Sequence, residues 1–168
     1  GLKLFFEHSV AIPGLPALVV KDKPSFKKYK SDAITKFIRK ASTRIKAYQP
    51  YCIVSAAVKP NLKSAHDDFG QHWDIWLSER YIDWAVPMNY ASGIKNFSSS
   101  IEIMKKNIPM QYHDRIIMGI AVYNQNPRSA GQKIYYAGKS NFTGISIFSY
   151  TVFEQDPSYA VKLINYLK

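Results

Sequence analysis

Four short apolar runs recur at nearly even spacing along the chain: residues 52–58 (CIVSAAV), 82–90 (IDWAVPMNY), 115–123 (RIIMGIAVY) and 144–150 (GISIFSY). With strand starts at Cys52, Asp83, Arg115 and Gly144, the intervals are 31, 32 and 29 residues. Each interval has room for one strand and one helix, and no residue identity links the units, so the period is structural and not a repeat of sequence. Runs that are apolar on both faces are the mark of parallel strands covered by helices. The alternation therefore predicts an α/β fold, either a doubly wound open sheet or part of an eightfold barrel.

Two features favour the barrel. No glycine-rich phosphate loop follows any of the runs, as one would in a nucleotide-binding open sheet. Polar or aromatic residues stand at every strand end instead: Lys59, Asn89 with Tyr90, Tyr123 with Asn124, and Ser149 with Tyr150. In a barrel those ends converge on one mouth. Four strands do not close an eightfold barrel. The expectation is the C-terminal half of a (β/α)8 TIM barrel, about four complete βα units plus the end of a preceding strand at residues 1–6, in one partial domain over residues 1–168. The chain starts at Gly1, with no methionine, directly in an apolar run, and an upstream portion is expected to be missing. Such a half exposes strand edges and the barrel interior, so a missing N-terminal half-barrel or self-association is expected to cover them.

Between the runs, Pro and Gly break residues 11–24 into a loop. Ser31 is the expected N-cap of a helix whose apolar positions Ile34, Phe37, Ile38, Ala41 and Ile45 repeat at three and four, ending at Pro50. Residues 59–70 read as a polar loop. In QHWDIWLSERYIDWAVPMNY (residues 71–90), Trp73, Trp76 and Leu77 form one apolar helix face, Arg80 and Tyr81 a return, and the strand ends in Asn89 and Tyr90. Ser98 to Ser100 are expected to cap the helix after it, with Ile101, Met104 and Ile108 inward. Gly119, inside a strand, marks a close approach of another backbone or of a ligand. The last helix enters through Asp156 and Pro157. Trp73, Trp76 and Trp84 read as packing residues.

With 46% hydrophobic and 14% aromatic residues, 168 residues bury a sizeable core. No run reaches the roughly 18 apolar residues of a membrane span. Cys52, the one cysteine, cannot form an internal disulfide and reads as a core residue. The net charge of +11 raises the question of nucleic acid. Lys27, Lys28, Lys30, Lys36, Arg39, Lys40, Arg44 and Lys46 all fall in or just before one helix, where a solvated face is the ordinary explanation and attraction to anionic glycan or membrane the next. No nucleic-acid motif accompanies them, and no nucleic-acid partner is expected. His66 and His72 lie six apart, not at the i, i+4 spacing of a zinc helix, so no metal is expected. No motif requires a cofactor.

The order of these blocks resembles the bacterial glycosyl hydrolase-like 10 domain: a basic amphipathic helix, VSAAVKP (residues 54–60), QHWDIWLSERYIDWAVPMNY, IIMGIAVYNQ (residues 116–125) and GISIFSY before the last helix. The resemblance covers roughly residues 25–168 and is strongest from the tryptophan helix to Pro87, Met88, Asn89 and Tyr90. It implies a (β/α)8 barrel and a secreted or envelope-anchored glycosidase acting on bacterial glycan or polysaccharide, with a non-catalytic glycan-binding relative as the alternative. Two positions depart from the family: His72 stands where its helix usually carries Asp, and residues 1–6 (GLKLFF) lack the Asp of its fourth strand.

Glycoside hydrolysis generally uses two carboxyl groups across the scissile bond. Glu7, directly after the first strand, is the expected catalytic carboxylate. Asp67, Asp68 and Glu154 are additional candidates, although Asp67 and Asp68 also read as caps of the following helix and Glu154 as part of the entry to the last one. Lys59, Asn89, Tyr90, Tyr123, Asn124 and Tyr150 are the expected substrate-binding set, because sugar rings stack on aromatic faces and sugar hydroxyls need amide and phenol partners. The fragment alone is expected to be inactive.

Overall fold

The computed structural model describes residues 24–168; the expected first strand, Glu7 and all of the loop expected at residues 11–24 except Pro24 lie outside the described residues. The chain runs α1 (Pro24–Tyr48), β1 (Ser55–Val58), α2 (Leu62–Asp67), α3 (Trp73–Ser78), β2 (Trp84–Pro87), α4 (Ile94–Asn107), a 3-10 turn (Met110–Arg115), β3 (Ile117–Ala121), α5 (Pro127–Gly138), β4 (Gly144–Phe148), α6 (Thr151–Gln155) and α7 (Pro157–Leu167). All four runs carry strands, and all pair in parallel.

β1 pairs with β2, Ser55 beside Trp84, and β3 with β4, Ile117 beside Gly144. Two isolated parallel bridges, Ala85 to Ile116 and Met88 to Gly119, join the pairs. Neighbours in space are thus neighbours in sequence, with no reversal of strand order. Gly119 sits on this seam: a Cβ there would lie 2.8 Å from the Pro87 carbonyl oxygen and 3.2 Å from Met88 Cα. Of the two readings of that glycine, a neighbouring backbone is the one observed.

Side chains alternate across the sheet. One face, with Val58, Ala85, Ile116, Met118 and Ile120, is buried in a single core with Trp73, Trp76 and Leu77 of α3 and Phe97, Ile101 and Met104 of α4. α4 packs on α5 and α5 on α7, so consecutive helices line the same side. On the other face Ser55, Ala57, Ser146 and Phe148 are exposed and Trp84, Val86, Met88 and Ile117 half-buried. Trp84 therefore packs only partly, unlike Trp73 and Trp76. Among the described residues no helix is long and apolar enough to cross a membrane.

Several boundaries differ from the sequence expectation. Ser31 is not an N-cap: α1 already starts at Pro24, proline being well placed at a first helical position, and Ser31 Oγ donates to the Lys28 carbonyl within the helix. Cys52 is exposed and not in the core, because the chain turns on leaving α1, with Cys52 N–H donating to the Gln49 carbonyl, and β1 begins only at Ser55. The supposed loop at residues 59–70 contains α2, capped by Asn61, whose side chain accepts from Ser64 N–H. Asp67 and Asp68 close α2 instead of capping α3, whose N-cap is His72. α4 starts after Gly93, so Ser98 to Ser100 lie inside it. Asp156 does cap α7, accepting from Ser158 N–H at 3.0 Å.

The amino ends of the strands are tied by charge. Arg115 donates from Nε to the Asp83 carbonyl at 3.0 Å, from one terminal nitrogen to the Leu77 carbonyl at 2.7 Å, and from the other to the Ile82 carbonyl. The Asp83 carboxylate accepts from Val54 N–H at 2.7 Å and from Lys46 Nζ at 2.6 Å. Burial pushes the Asp83 carboxyl up, but the Lys46 ammonium and the Val54 N–H outweigh it and hold the group below its ordinary value. A lowered carboxyl adds stability above its unfolded value of about 3.9, and that stability is lost as pH falls through the lower folded value. Unfolding free energy is therefore expected to drop below about pH 4 with a contribution that Asp83→Asn removes, as read from urea midpoints across that range. At pH 7 Asp83→Asn costs about 1 kcal/mol.

Candidate functional site

Because the strands are parallel and in register, their carboxyl ends lie along one edge, and the turns that follow present their residues there. Tyr90 follows β2, Tyr123 follows β3, and Phe148 ends β4. Tyr90 and Phe148 stack with ring centroids 5.5 Å apart and planes 10° from parallel. Tyr123 meets both edge-on, at 6.2 Å from Tyr90 and 6.0 Å from Phe148. Tyr123 is 54% and Phe148 50% exposed, so this platform of three rings faces solvent. Burial, and then Tyr123 beside it, raises the Tyr90 phenol above its ordinary value.

The turns beneath the platform are fixed by amides and one lysine. Asn124 Nδ2 donates to the Tyr90 carbonyl at 3.0 Å, tying the β3 turn to the β2 turn. Asn89 is 3% exposed, and its Nδ2 donates to the Phe97 carbonyl at 3.0 Å, so it anchors the start of α4. Lys133 of α5 is 1% exposed. Its ammonium donates to the Ala91 and Ser92 carbonyls and to Gln125 Oε1, spanning both turns. Burial lowers its pKa. A buried cation on three oxygens satisfies all its protons at the cost of desolvation.

Of the expected binding set, Tyr90 and Tyr123 come together and Asn124 links them, while Asn89 turns inward. Lys59 places its ammonium over the Phe69 ring at 4.5 Å, and its carbonyl accepts from Trp73 Nε1 at 3.1 Å. Tyr150 is 70% exposed, with its ring against Phe153. Phe148, Lys133 and Gln125 were not in that set. Phe148 had a usable signal, since it lies two residues before Tyr150 on the same run.

The carboxylates are dispersed. Asp67 pairs with Lys63, whose ammonium holds the carboxyl below its ordinary value. Asp68 accepts from Ser64 Oγ at 2.7 Å, and Glu154 is exposed on α6. Glu7 lies outside the described residues. His66 and His72 stack at 4.2 Å, and His66 Nε2 meets Asp74 Oδ1 at 2.8 Å. Among the described residues no cluster of three or more His, Cys, Asp or Glu could hold a metal ion.

Short parallel strands covered by helices, with an aromatic platform at their carboxyl ends, define an α/β domain with a candidate site where α/β folds carry theirs. Residues 13–137 match the glycosyl hydrolase-like 10 family, and the chain belongs to it. Comparison with curated proteins finds no match.

Proposed function

We propose that this chain is the C-terminal half of a (β/α)8 barrel that binds bacterial glycan or polysaccharide along its strand ends and, completed by an N-terminal half, hydrolyses it by an acid/base carboxylate mechanism. The observation that carries the reading is the exposed platform of Tyr90, Tyr123 and Phe148. Sequential strand order, helices along one side and a half-exposed apolar face on the other support the half-barrel. That face fits a partner half-barrel or a second copy of this chain. Glu7 is the proposed catalytic carboxylate, with Lys59, Asn124 and Tyr150 flanking the platform; Asp67, Asp68 and Glu154 are secondary candidates. A secreted or cell-envelope location suits such a substrate.

Tyr123→Ala tests the platform. An aromatic contact contributes about 0.5–1.5 kcal/mol beyond its buried area, so affinity for an oligosaccharide digest of bacterial cell-wall glycan is expected to fall about three- to tenfold with the urea midpoint unchanged. Unaltered affinity by calorimetry would remove the platform from the site.

The second reading, a glycan-binding relative without turnover, is favoured by the dispersal of carboxylates among the described residues. Joining the upstream open reading frame and assaying release of reducing ends separates the two: binding without release supports the second.

A further inference from the structure

A cleft lies away from the strand-end platform, between α1 and α3. Its volume is about 420 Å³, within the range of small-molecule sites of roughly 300–1,000 Å³. Lys36 and Arg39 line one side, from α1; His72, Ile75 and Tyr81 line the other. Ile75 is 43% exposed although it is a large apolar side chain. The only acid of α1, Asp32, also lines the cleft, and its carboxylate is held by Lys28 at 2.7 Å. Among the described residues no carboxylate pairs with Lys36 or Arg39. The cleft thus combines two cations that have no ion-pair partner among the described residues with a phenol ring, an aliphatic patch and an imidazole.

We propose that the cleft between α1 and α3 is a second carbohydrate site, selective for a sugar bearing an anionic group, whose charge is held by Lys36 and Arg39 while the ring lies against Ile75 and Tyr81. The arginine fork suits a planar carboxylate or a phosphate and the lysine adds a point charge. A site for a small bare anion would need neither the apolar patch nor the phenol, and a membrane or nucleic-acid surface would need no cleft. Burial, and then the stacked His66, keeps the His72 imidazole below its ordinary value, so at neutral pH it is uncharged and pairs with hydroxyls as donor and acceptor. This site is independent of the strand-end platform, and a protein that binds no glycan there can still bind an anionic sugar here.

The test is amide chemical-shift mapping on the whole chain at low salt with glucuronate, glucose 1-phosphate, glucose and acetate as separate probes. Glucuronate or glucose 1-phosphate is expected to shift His72, Ile75 and Tyr81, and the stronger of the two identifies carboxylate or phosphate as the natural charge. Glucose and acetate are expected to shift them far less. The double variant Lys36→Gln/Arg39→Gln, which changes only exposed side chains, is expected to weaken binding about tenfold or more, the loss of one charge-assisted hydrogen bond or two. Acetate matching glucuronate, equal binding by the double variant, or shifts confined to Tyr90 and Tyr123 each overturn the proposal. So does binding of anionic vesicles or duplex DNA through Lys36 and Arg39 when neither anionic sugar binds.

Discussion

On the proposed reading of a full barrel with Glu7 as its carboxylate, Glu7→Gln is expected to lower hydrolysis by about 10² to 10⁴, the usual range for removing a general acid or base, while glycan binding and the unfolding midpoint stay near those of the parent. Position and surroundings single out Glu7. Barrel enzymes draw their catalytic groups from the carboxyl ends of strands, and Glu7 directly follows the apolar run that opens the chain. The other candidates have different surroundings: Asp67 faces Lys63, Asp68 faces Ser64, and Glu154 is solvated on α6. A rate measured on a substrate the parent cleaves decides it. Turnover of the variant within about threefold of the parent, against that 10² minimum, removes Glu7 from the catalytic role.

The second large effect is on stability. Trp76 is 2% exposed in the centre of the core, and its Nε1 donates to Thr35 Oγ1 at 2.9 Å, so one side chain fills the space under the sheet and fastens α1 to α3. Trp76→Ala is expected to cost about 3–5 kcal/mol, the transfer and cavity cost of deleting a buried aromatic. Trp76→Phe keeps most of the volume and leaves Thr35 without its donor, a loss of about 1–2 kcal/mol. Urea denaturation of the two variants checks both. Equal losses would show that the hydrogen bond, and not the packing, is what Trp76 contributes.

The strands and the tryptophan helix were legible because their signals are periodic and strong: Trp73, Trp76 and Leu77 are all buried where a 3.6 period puts them. Cys52 was misread because apolarity alone does not mark where a turn hands over to a ladder. That boundary is set by Asp83, distant in sequence, which engages Val54 N–H. α2 was missed because its six residues carry no apolar period; the Asn61 to Ser64 cap was the available sign. Tyr90 and Tyr123 could be placed at the mouth from strand ends, but whether Asn89 faces in or out depends on the register across the seam, where its N–H donates to the Gly119 carbonyl at 3.1 Å. Lys133 was invisible for a related reason: a lysine on a helix reads as solvated, and only the fold brings three oxygens to it.

The seam between β2 and β3 has a mechanical meaning. The β2–β3 ladder, two bridges and a glycine, is narrower than the ladder within either pair, and Arg115, Asn124 and Lys133 cross the same line with side-chain hydrogen bonds. Those side chains brace a line that the ladder alone would leave the weakest in the sheet. Tyr90 rides on one side of it, and Tyr123 and Phe148 ride on the other. The spacing between Tyr90 and Phe148 is thus set across this seam, and the side chains that cross it act on the platform as a truss acts on the span it carries.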